Sequence, residues 1–372
     1  MRDQGTDGAY YPYYTAAIVQ GDQWDCGRDR SSIKRNLDRA LMLVDAASQL
    51  GYTARSTHGE GWAPCKLVCF TEFFLQGSSA RLSFDDYMNN VVIRLPGPET
   101  EVLGEKAREL GVWIAGQALE HDAHWDDRFF NTAFIIGPDG TLIHKYRKVQ
   151  SAVNYELAIS PHDMLDEYMR VYGEGRSSRE VLFPVADLPI GRVATMTCND
   201  GFYPEIARAL ALNGAEIITH PQMPDPFVSS GMWLAQNRSR ALENAAYILA
   251  PNRAELFSDE RPKSHSPGGS HIVDFNGEPV AVCNHGGETV LSTTVYLDAL
   301  RRRRMDPSWN FLTQLRTETF RAIYDESIYP PNMFADAGPT SRSQRDSVMA
   351  IEHFKSTGRF APPLSDALMK QR

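Results

Sequence analysis

No run in the sequence approaches the ~18 apolar residues of a membrane-spanning helix. The polar, tyrosine-rich stretch from Met1 to Tyr13 lacks the apolar core of a secretory signal peptide, so none is expected. Cysteine is scarce and odd in number: Cys26, Cys65, Cys69, Cys198 and Cys283 in a chain of 372 residues. Such usage argues against a disulfide framework and places the protein in a reducing cytoplasm. Cys65 and Cys69 are four apart, but no second Cys or His pair stands at zinc-ligand spacing, so they read as strand packing and no metal is expected. Basic charge is also short. A formal net charge of -9 argues against nucleic acid or an anionic membrane as partner. The one dense basic run, Arg301 to Arg304, reads as a solvated helix end. Internal repeats and low-complexity segments are lacking too.

What is present is ordinary for a soluble α/β protein: 42% hydrophobic and 23% charged residues. The length suits one large domain with extensions better than two small ones. Residues 1–13 read as an N-terminal extension, 14–305 as the domain and 306–372 as a tail. Helical spacing marks 31–50, 99–110, 205–212 and 233–246, and apolar or alternating runs mark strands at 14–20, 66–70, 112–119, 182–185, 192–197, 216–219, 247–251 and 290–297. Segments 52–64, 78–90, 151–180 and 221–232 read as loops or insertions. Two hairpins interrupt the alternation, one around Gly137-Pro138-Asp139-Gly140 and one around Asn276-Gly277. A purely parallel doubly wound sheet accommodates them poorly, whereas a layered sandwich of mixed sheets does so readily. The tail scatters its aromatics (Trp309, Phe311, Phe320, Tyr329, Phe334) too widely for a core of its own, and is expected to wrap the domain or a neighbouring subunit.

One stretch carries the chemistry. The β-branched run from Gly191 to Thr197 predicts a buried strand ending at Cys198. Asn199-Asp200-Gly201 is a turn, and Pro204 with Glu205 opens a helix. A thiol on such an elbow is displayed as nucleophiles are, facing a helix N-terminus that favours negative charge. Two further polar residues end apolar strands: Glu72 in Leu67-Val68-Cys69-Phe70-Thr71-Glu72, and Lys148 in His144-Lys145-Tyr146-Arg147-Lys148. A cysteine nucleophile needs a base and an electrostatic partner for its intermediate; a glutamate and a lysine supply them. Histidine is the other common base. Of His144, His162, His220, His265 and His271, only His220 occupies a comparable strand end.

These three motifs, in this order and separation, resemble the nitrilase superfamily of carbon–nitrogen hydrolases across about residues 12 to 300. The resemblance implies an α-β-β-α sandwich of mixed sheets that pairs into an α-β-β-α–α-β-β-α dimer or larger homo-oligomer. It implies Cys198 as nucleophile, Glu72 as general base and acid, and Lys148 stabilising the oxyanion with the N–H after Cys198, beside Asn199 and Asp200. It implies no cofactor. The family uses a second glutamate after the lysine. Glu167, in Leu165-Asp166-Glu167-Tyr168, is preferred because a long insertion follows Lys148; Glu156, eight residues after Lys148, is the alternative.

The residues after the nucleophile favour amide hydrolysis. Asn199-Asp200 resembles the N-carbamoyl amino acid hydrolases, and Asp200-Gly201-Phe202-Tyr203-Pro204-Glu205 resembles aliphatic amidases and formamidases, whereas nitrilases commonly carry Cys-Trp-Glu. The expectation is an amidase acting on a small amide or ureido compound. An N-carbamoyl amine or amino acid hydrolase and a nitrilase are the runners-up, and a non-catalytic or acyl-transferring member is the reading of another class. Carbamoylases that bind a substrate carboxylate need a fixed cation, for which Arg238, Arg240 and Arg253 are candidates.

Overall fold

Among the described residues, thirteen strands in two mixed sheets position the site. The computed structural model describes residues 11–361 and 363, except 28, 57–58, 78–81, 153–154, 224–225, 259–260 and 345–347. Most of the expected N-terminal extension therefore lies outside the described residues. The first sheet runs Thr289–Tyr296, Tyr13–Gln20, Gly59–Cys69, Trp113–Glu120, Phe130–Ile136, Leu142–Arg147, with Gly51–Ser56 paired antiparallel to Gly59–Cys69. The second runs Pro279–Val282, His271–Val273, Tyr247–Ala250, Ile217–Thr219, Gly191–Thr195, Ala186–Leu188. Each keeps a parallel centre and acquires antiparallel neighbours from the hairpins.

Period-two alternation distributes the strand residues between three cores. Tyr14, Ala16 and Ile18 of the first sheet pack with Val193, Ile217, Leu249 and Ile272 of the second. Ala17 and Val19 point the other way, onto Ile33, Leu37, Ala40 and Val44 of the helix Ser31–Ser48 and onto Leu103 of the helix Pro98–Leu110. Ala194, Ile218 and Ile248 of the second sheet meet Ile206 and Leu210 of the helix Pro204–Leu212, and Trp233 and Ala241 of the helix Met232–Asn244. The i, i+4, i+7 spacing of each helix is what lays one apolar stripe on its sheet.

Three expectations are corrected. Segment 52–64 is not a loop but most of a strand pair, Gly51–Ser56 with Gly59–Cys69. Residues 182–185 are not a strand: the helix Ser178–Leu182 ends there, started by a capping box between Ser177 and Glu180. A small third sheet, unanticipated, joins Gln23–Trp24 to Leu256–Ser258 and Arg261–Ser264.

The insertion after Lys148 and part of the tail form a satellite core. Trp125, Phe130, Ile159, Met164, Tyr168 and Val181 bury Phe334 of the tail among them. Backbone bonds fasten the two together, Asn332 N–H to His162 O (3.0 Å) and Phe334 N–H to Asp163 O (2.8 Å). Among the described residues no helix is long and apolar enough to cross a membrane.

Candidate active site

Glu72, Lys148 and Cys198 leave their strands on the same side and converge. Glu72 lies in the turn that follows Gly59–Cys69 and is 1% exposed; Lys148, just beyond Leu142–Arg147, is fully buried. Lys148 Nζ donates to Glu72 Oε1 at 3.1 Å and to Glu156 Oε1. Cys198 Sγ and one carboxylate oxygen each of Glu72 and Glu156 lie within 4.8 Å of one another. Those three donors could face a metal ion, but the Lys148 ammonium already bridges both carboxylates where a cation would sit.

Glu156, not Glu167, is the second glutamate at this cluster. A turn closed by Glu156 N–H to Ala152 O at 3.0 Å brings Glu156 back over Lys148 after only eight residues. Glu167 sits on the helix Leu165–Tyr172, pairs with Arg170 three residues on and faces solvent. The short turn reaches the lysine before the insertion begins its helices, so the insertion does not displace the residue.

The elbow is as the strand-to-helix pattern predicts. Gly191–Thr195 ends, a short 3-10 turn Cys198–Phe202 follows, and the helix Pro204–Leu212 starts with its proline. Cys198 adopts φ 50°, a left-handed conformation that costs a non-glycine residue ~1–3 kcal/mol. Its surroundings hold it there. Its N–H donates to Pro221 O at 2.9 Å, and its carbonyl lies 3.0 Å from His220 Nε2. His220 therefore grips the backbone of the nucleophile, and burial pushes its pKa down. Gly201 makes that approach possible, since a Cβ there would stand 2.3 Å from His220 Cε1.

Asp200 also serves the turn. Fully buried, it accepts from Thr197 N–H (2.9 Å), Gln150 N–H (2.8 Å) and the Tyr146 hydroxyl (2.7 Å), tying the elbow to the strand before Lys148. Asn199 instead borders the open pocket. The residues that hold Glu72 escaped sequence reasoning. Asn131 Nδ2 donates to Glu72 Oε1 at 2.8 Å, and Gln117 Nε2 donates to Asn131 Oδ1 at 2.5 Å, while Gln117 Oε1 accepts from Phe73 N–H. Gln117 projects from mid-strand and Asn131 from the start of the next strand, where a polar residue on an otherwise buried strand was the only signal.

The charges follow from burial and proximity. Burial pushes the Glu72 carboxyl up, with Lys148 opposing and Glu156 reinforcing the rise. Burial pushes the Cys198 thiol well above its ordinary value, the Glu72 charge adds to this, and Lys148 opposes it. Burial disfavours the Lys148 ammonium, but its acidic neighbours Cys198, Glu156 and Glu72 outweigh it and hold the pKa well above that of an ordinary lysine. The resting arrangement is thus a neutral thiol and an ammonium beside a buried glutamate placed to exchange a proton with the thiol.

The cluster floors a cavity of about 480 Å³. Arg238, Arg240 and Arg253 do not line it: Arg238 donates to Gly277 O, Arg240 to Gly201 O, and Arg253 to Ser264 Oγ.

The sequence matches the carbon-nitrogen hydrolase family over residues 15–305. The chain belongs to this family, within the nitrilase superfamily. Among carbon–nitrogen hydrolases it is 27% identical over 270 residues to an omega-amidase of Xenopus laevis, covering 72% of this chain and 86% of that one. It is 29% identical over 252 residues to a formamidase of Bacillus cereus, covering 67% and 64%. In fold it is similar to an amidase of Nesterenkonia sp. AN1, solved with the acetamide moiety of fluoroacetamide added covalently at its active-site cysteine. That likeness has a TM-score of 0.58 at 18% identity, over 83% of this chain and 97% of that one.

Proposed function

We propose that this carbon–nitrogen hydrolase is an amidase that works through a thioester on Cys198. The observation that carries the reading is the buried Glu72–Lys148–Glu156 cluster within reach of a cysteine on a strained elbow. Cys198 Sγ attacks the amide carbonyl while its proton passes to Glu72. The negative charge gathering on the carbonyl oxygen is met by Lys148 and the N–H after Cys198. As the C–N bond breaks, Glu72 returns the proton to the departing amine or ammonia. Water then attacks the thioester, Glu72 takes a proton from it, and the C–S bond breaks to give the acid and the free thiol. Glu156 holds Lys148 in place. The names of the relatives, an omega-amidase and a formamidase, agree with an amide rather than a nitrile substrate. No described arginine candidate borders the pocket to clamp an N-carbamoyl amino acid, which favours the amide over the ureido reading.

The architecture in this proposal is the α-β-β-α sandwich, supported by the three cores between and outside the sheets. A homodimer is proposed from the exposed apolar side chains beside the elbow and in the tail, among them Phe202, Tyr203, Met305 and Trp309. Sedimentation giving a monomer at micromolar concentration would refute the dimer. For the activity, incubation with a panel of amides should release ammonia and leave an acyl adduct on Cys198 in the mass spectrum. Cys198→Ala should lose both. Turnover by Cys198→Ala, or no adduct during turnover by the native protein, would overturn the mechanism.

A further inference from the structure

The amidase reading leaves the substrate open, and the pocket wall addresses it; the inference below rests on that reading. The charged side chains that line the pocket among the described residues are Glu72 and Glu156 at its floor, which Lys148 bridges; Arg342 stands behind the wall, against the Tyr87 hydroxyl and Tyr155 O. Above the floor the described wall is mostly apolar, with Tyr87, Leu119, Phe129, Leu157, Met223 and Phe227, and carries Tyr155, Asn199 and Gln222 as its polar members. The wall is also rigid on one side. Tyr87 and Phe129 lie ring to ring at 5.2 Å, and both are under 8% exposed in the protein. Burial, first among its causes, raises the Tyr87 hydroxyl to about 12, so it stays an uncharged phenol.

Size and polarity select together. A cavity of about 480 Å³ falls within the ~300–1,000 Å³ of sites that enclose ligands of many atoms. Formamide or acetamide would leave most of it unfilled by substrate. A second carboxylate on the substrate would be carried from water into an apolar wall, with two glutamates below it, a placement that costs binding. An apolar chain gains there instead. The thioester keeps the acyl group on Cys198 while the nitrogen departs, so the chain that the wall must hold through both half-reactions is the acyl chain.

We propose that the substrate is a primary amide of an uncharged, apolar carboxylic acid, with an alkyl or arylalkyl acyl group of about five carbons or more by the size of the pocket. The reaction is the one given above, with R–CO–NH₂ and water giving R–COOH and ammonia.

The test is a chain-length series on the full-length protein. Each methylene taken out of water is worth ~0.8 kcal/mol, roughly fourfold in kcat/KM. From acetamide to hexanamide, four methylenes longer, kcat/KM should rise of order 10²-fold. 3-Phenylpropanamide should do at least as well as hexanamide. The half-amide of succinic acid should fall at least tenfold below butyramide. N-butylacetamide, which puts the chain on the leaving side, should fall well below hexanamide. Leu157→Gln should flatten the series, and because the slope is a ratio between substrates within one preparation, a partly unfolded variant does not alter it. Met223→Gln provides the same reading at a second wall residue.

A flat series while acetamide is hydrolysed would overturn this inference and leave the amidase reading intact. Preference for the half-amide would overturn it in favour of a cation beyond the apolar wall. N-butylacetamide matching hexanamide would overturn the assignment of the wall to the acyl group. Absence of turnover and of a Cys198 adduct with every amide would overturn both readings.

Discussion

Replacing Glu156 by Gln removes one negative charge from the buried cluster with little change of shape, and its consequence can be worked from the distances. A Glu156 oxygen lies at most 4.8 Å from Cys198 Sγ. At an effective dielectric of about 20, two unit charges at that separation interact by ~3.5 kcal/mol, or ~2.5 pKa units. Glu156 raises the thiol pKa, as does the nearer Glu72. Loss of the Glu156 charge should therefore move the Cys198 thiol pKa downward. The same change removes one of the two carboxylates that hold Lys148. A lysine tethered by Glu72 alone is free to leave the position in which it meets the oxyanion, whose stabilisation is worth of order 10²–10³-fold. Glu156→Gln should thus make the thiol more acidic and the enzyme slower.

The assay is the rate of alkylation by iodoacetamide against pH, alongside kcat on an amide. Glu167→Gln is the control: its solvent-facing pair with Arg170 lies off the cluster, and neither profile should change. An alkylation midpoint that stays put or rises in Glu156→Gln would refute the charge argument. Loss of turnover in Glu167→Gln with Glu156→Gln unaffected would refute the assignment of the second glutamate.

Other substitutions separate the remaining roles. Asn131→Ala should lower kcat about tenfold or more, a modest fraction of the worth of a general base, because Glu72 loses a directing donor at 2.8 Å; KM for a small amide should change little. His220→Gln should retain much of the turnover that Glu72→Gln loses, the latter falling at least ~10²-fold, since His220 faces the Cys198 carbonyl rather than its thiol; the reverse order in kcat would restore a Cys–His mechanism. The pH profile of kcat/KM should show an acid limb above the ordinary ~4.3 of a glutamate, because burial raises Glu72 and only its ionised form accepts the thiol proton; a limb below that value would contradict the assignment. Arg147→Met should destabilise by about 3–5 kcal/mol in urea, because it strips a buried cation from Glu120 and Asp122. In the native protein burial works against the Glu120 carboxylate, but Arg147 and Lys145 hold its pKa below the unfolded value, so its stabilisation is present at neutral pH and is lost as pH falls through the folded value. Without Arg147 that loss should begin at higher pH.

Much of the site was legible because its three residues end strands. A polar side chain placed after an apolar run has left the sheet at its rim, and the parallel centres of both sheets bring such rims together. The elbow was equally readable, since the glycine turn and Pro204 announce the change from strand to helix. The second glutamate was not. Which carboxylate returns to Lys148 depends on how the chain is brought back between Ala152 and Glu156, and no Gly-Pro pair marks that return in the sequence. Asn131 and Gln117 were hidden for another reason: alternation assigns each to a face of the sheet, but only the three-dimensional stacking of neighbouring strands shows that they face Glu72. The strand pairing of 51–56 with 59–64 was missed, although the strand at 66–70 was read, because this outer part carries exposed Arg55 and Trp62, so period-two burial fades there. The capping box at Ser177 and Glu180 was present in the sequence and would have turned 178–182 from strand approach into helix.

The position of Glu156 explains why the insertion and the tail matter to a site built otherwise from the two sheets. Glu156 is carried by the segment that leaves the hairpin at Lys148, and a chain of ordinary turn residues does not hold a carboxylate against a buried ammonium by itself. Here the segment is fixed at both ends. Ser160 Oγ donates to Val149 O at 2.6 Å, and Ile159 N–H donates to Phe129 O at 2.8 Å, which closes 149–160 into a loop pinned to the first sheet. Ile159 then enters the satellite core with Phe334 of the tail, and Arg128 Nη1 donates to Phe334 O at 2.8 Å. Farther along, Arg342 Nε donates to Tyr155 O at 2.9 Å, the residue next to Glu156 and itself on the pocket wall. The tail thus presses on the loop from its outer side while Lys148 draws it from within. The sheets supply the nucleophile, the base and the lysine. The contacts made after residue 305 help to hold the fourth group, Glu156, and with it the lysine, in register with the elbow.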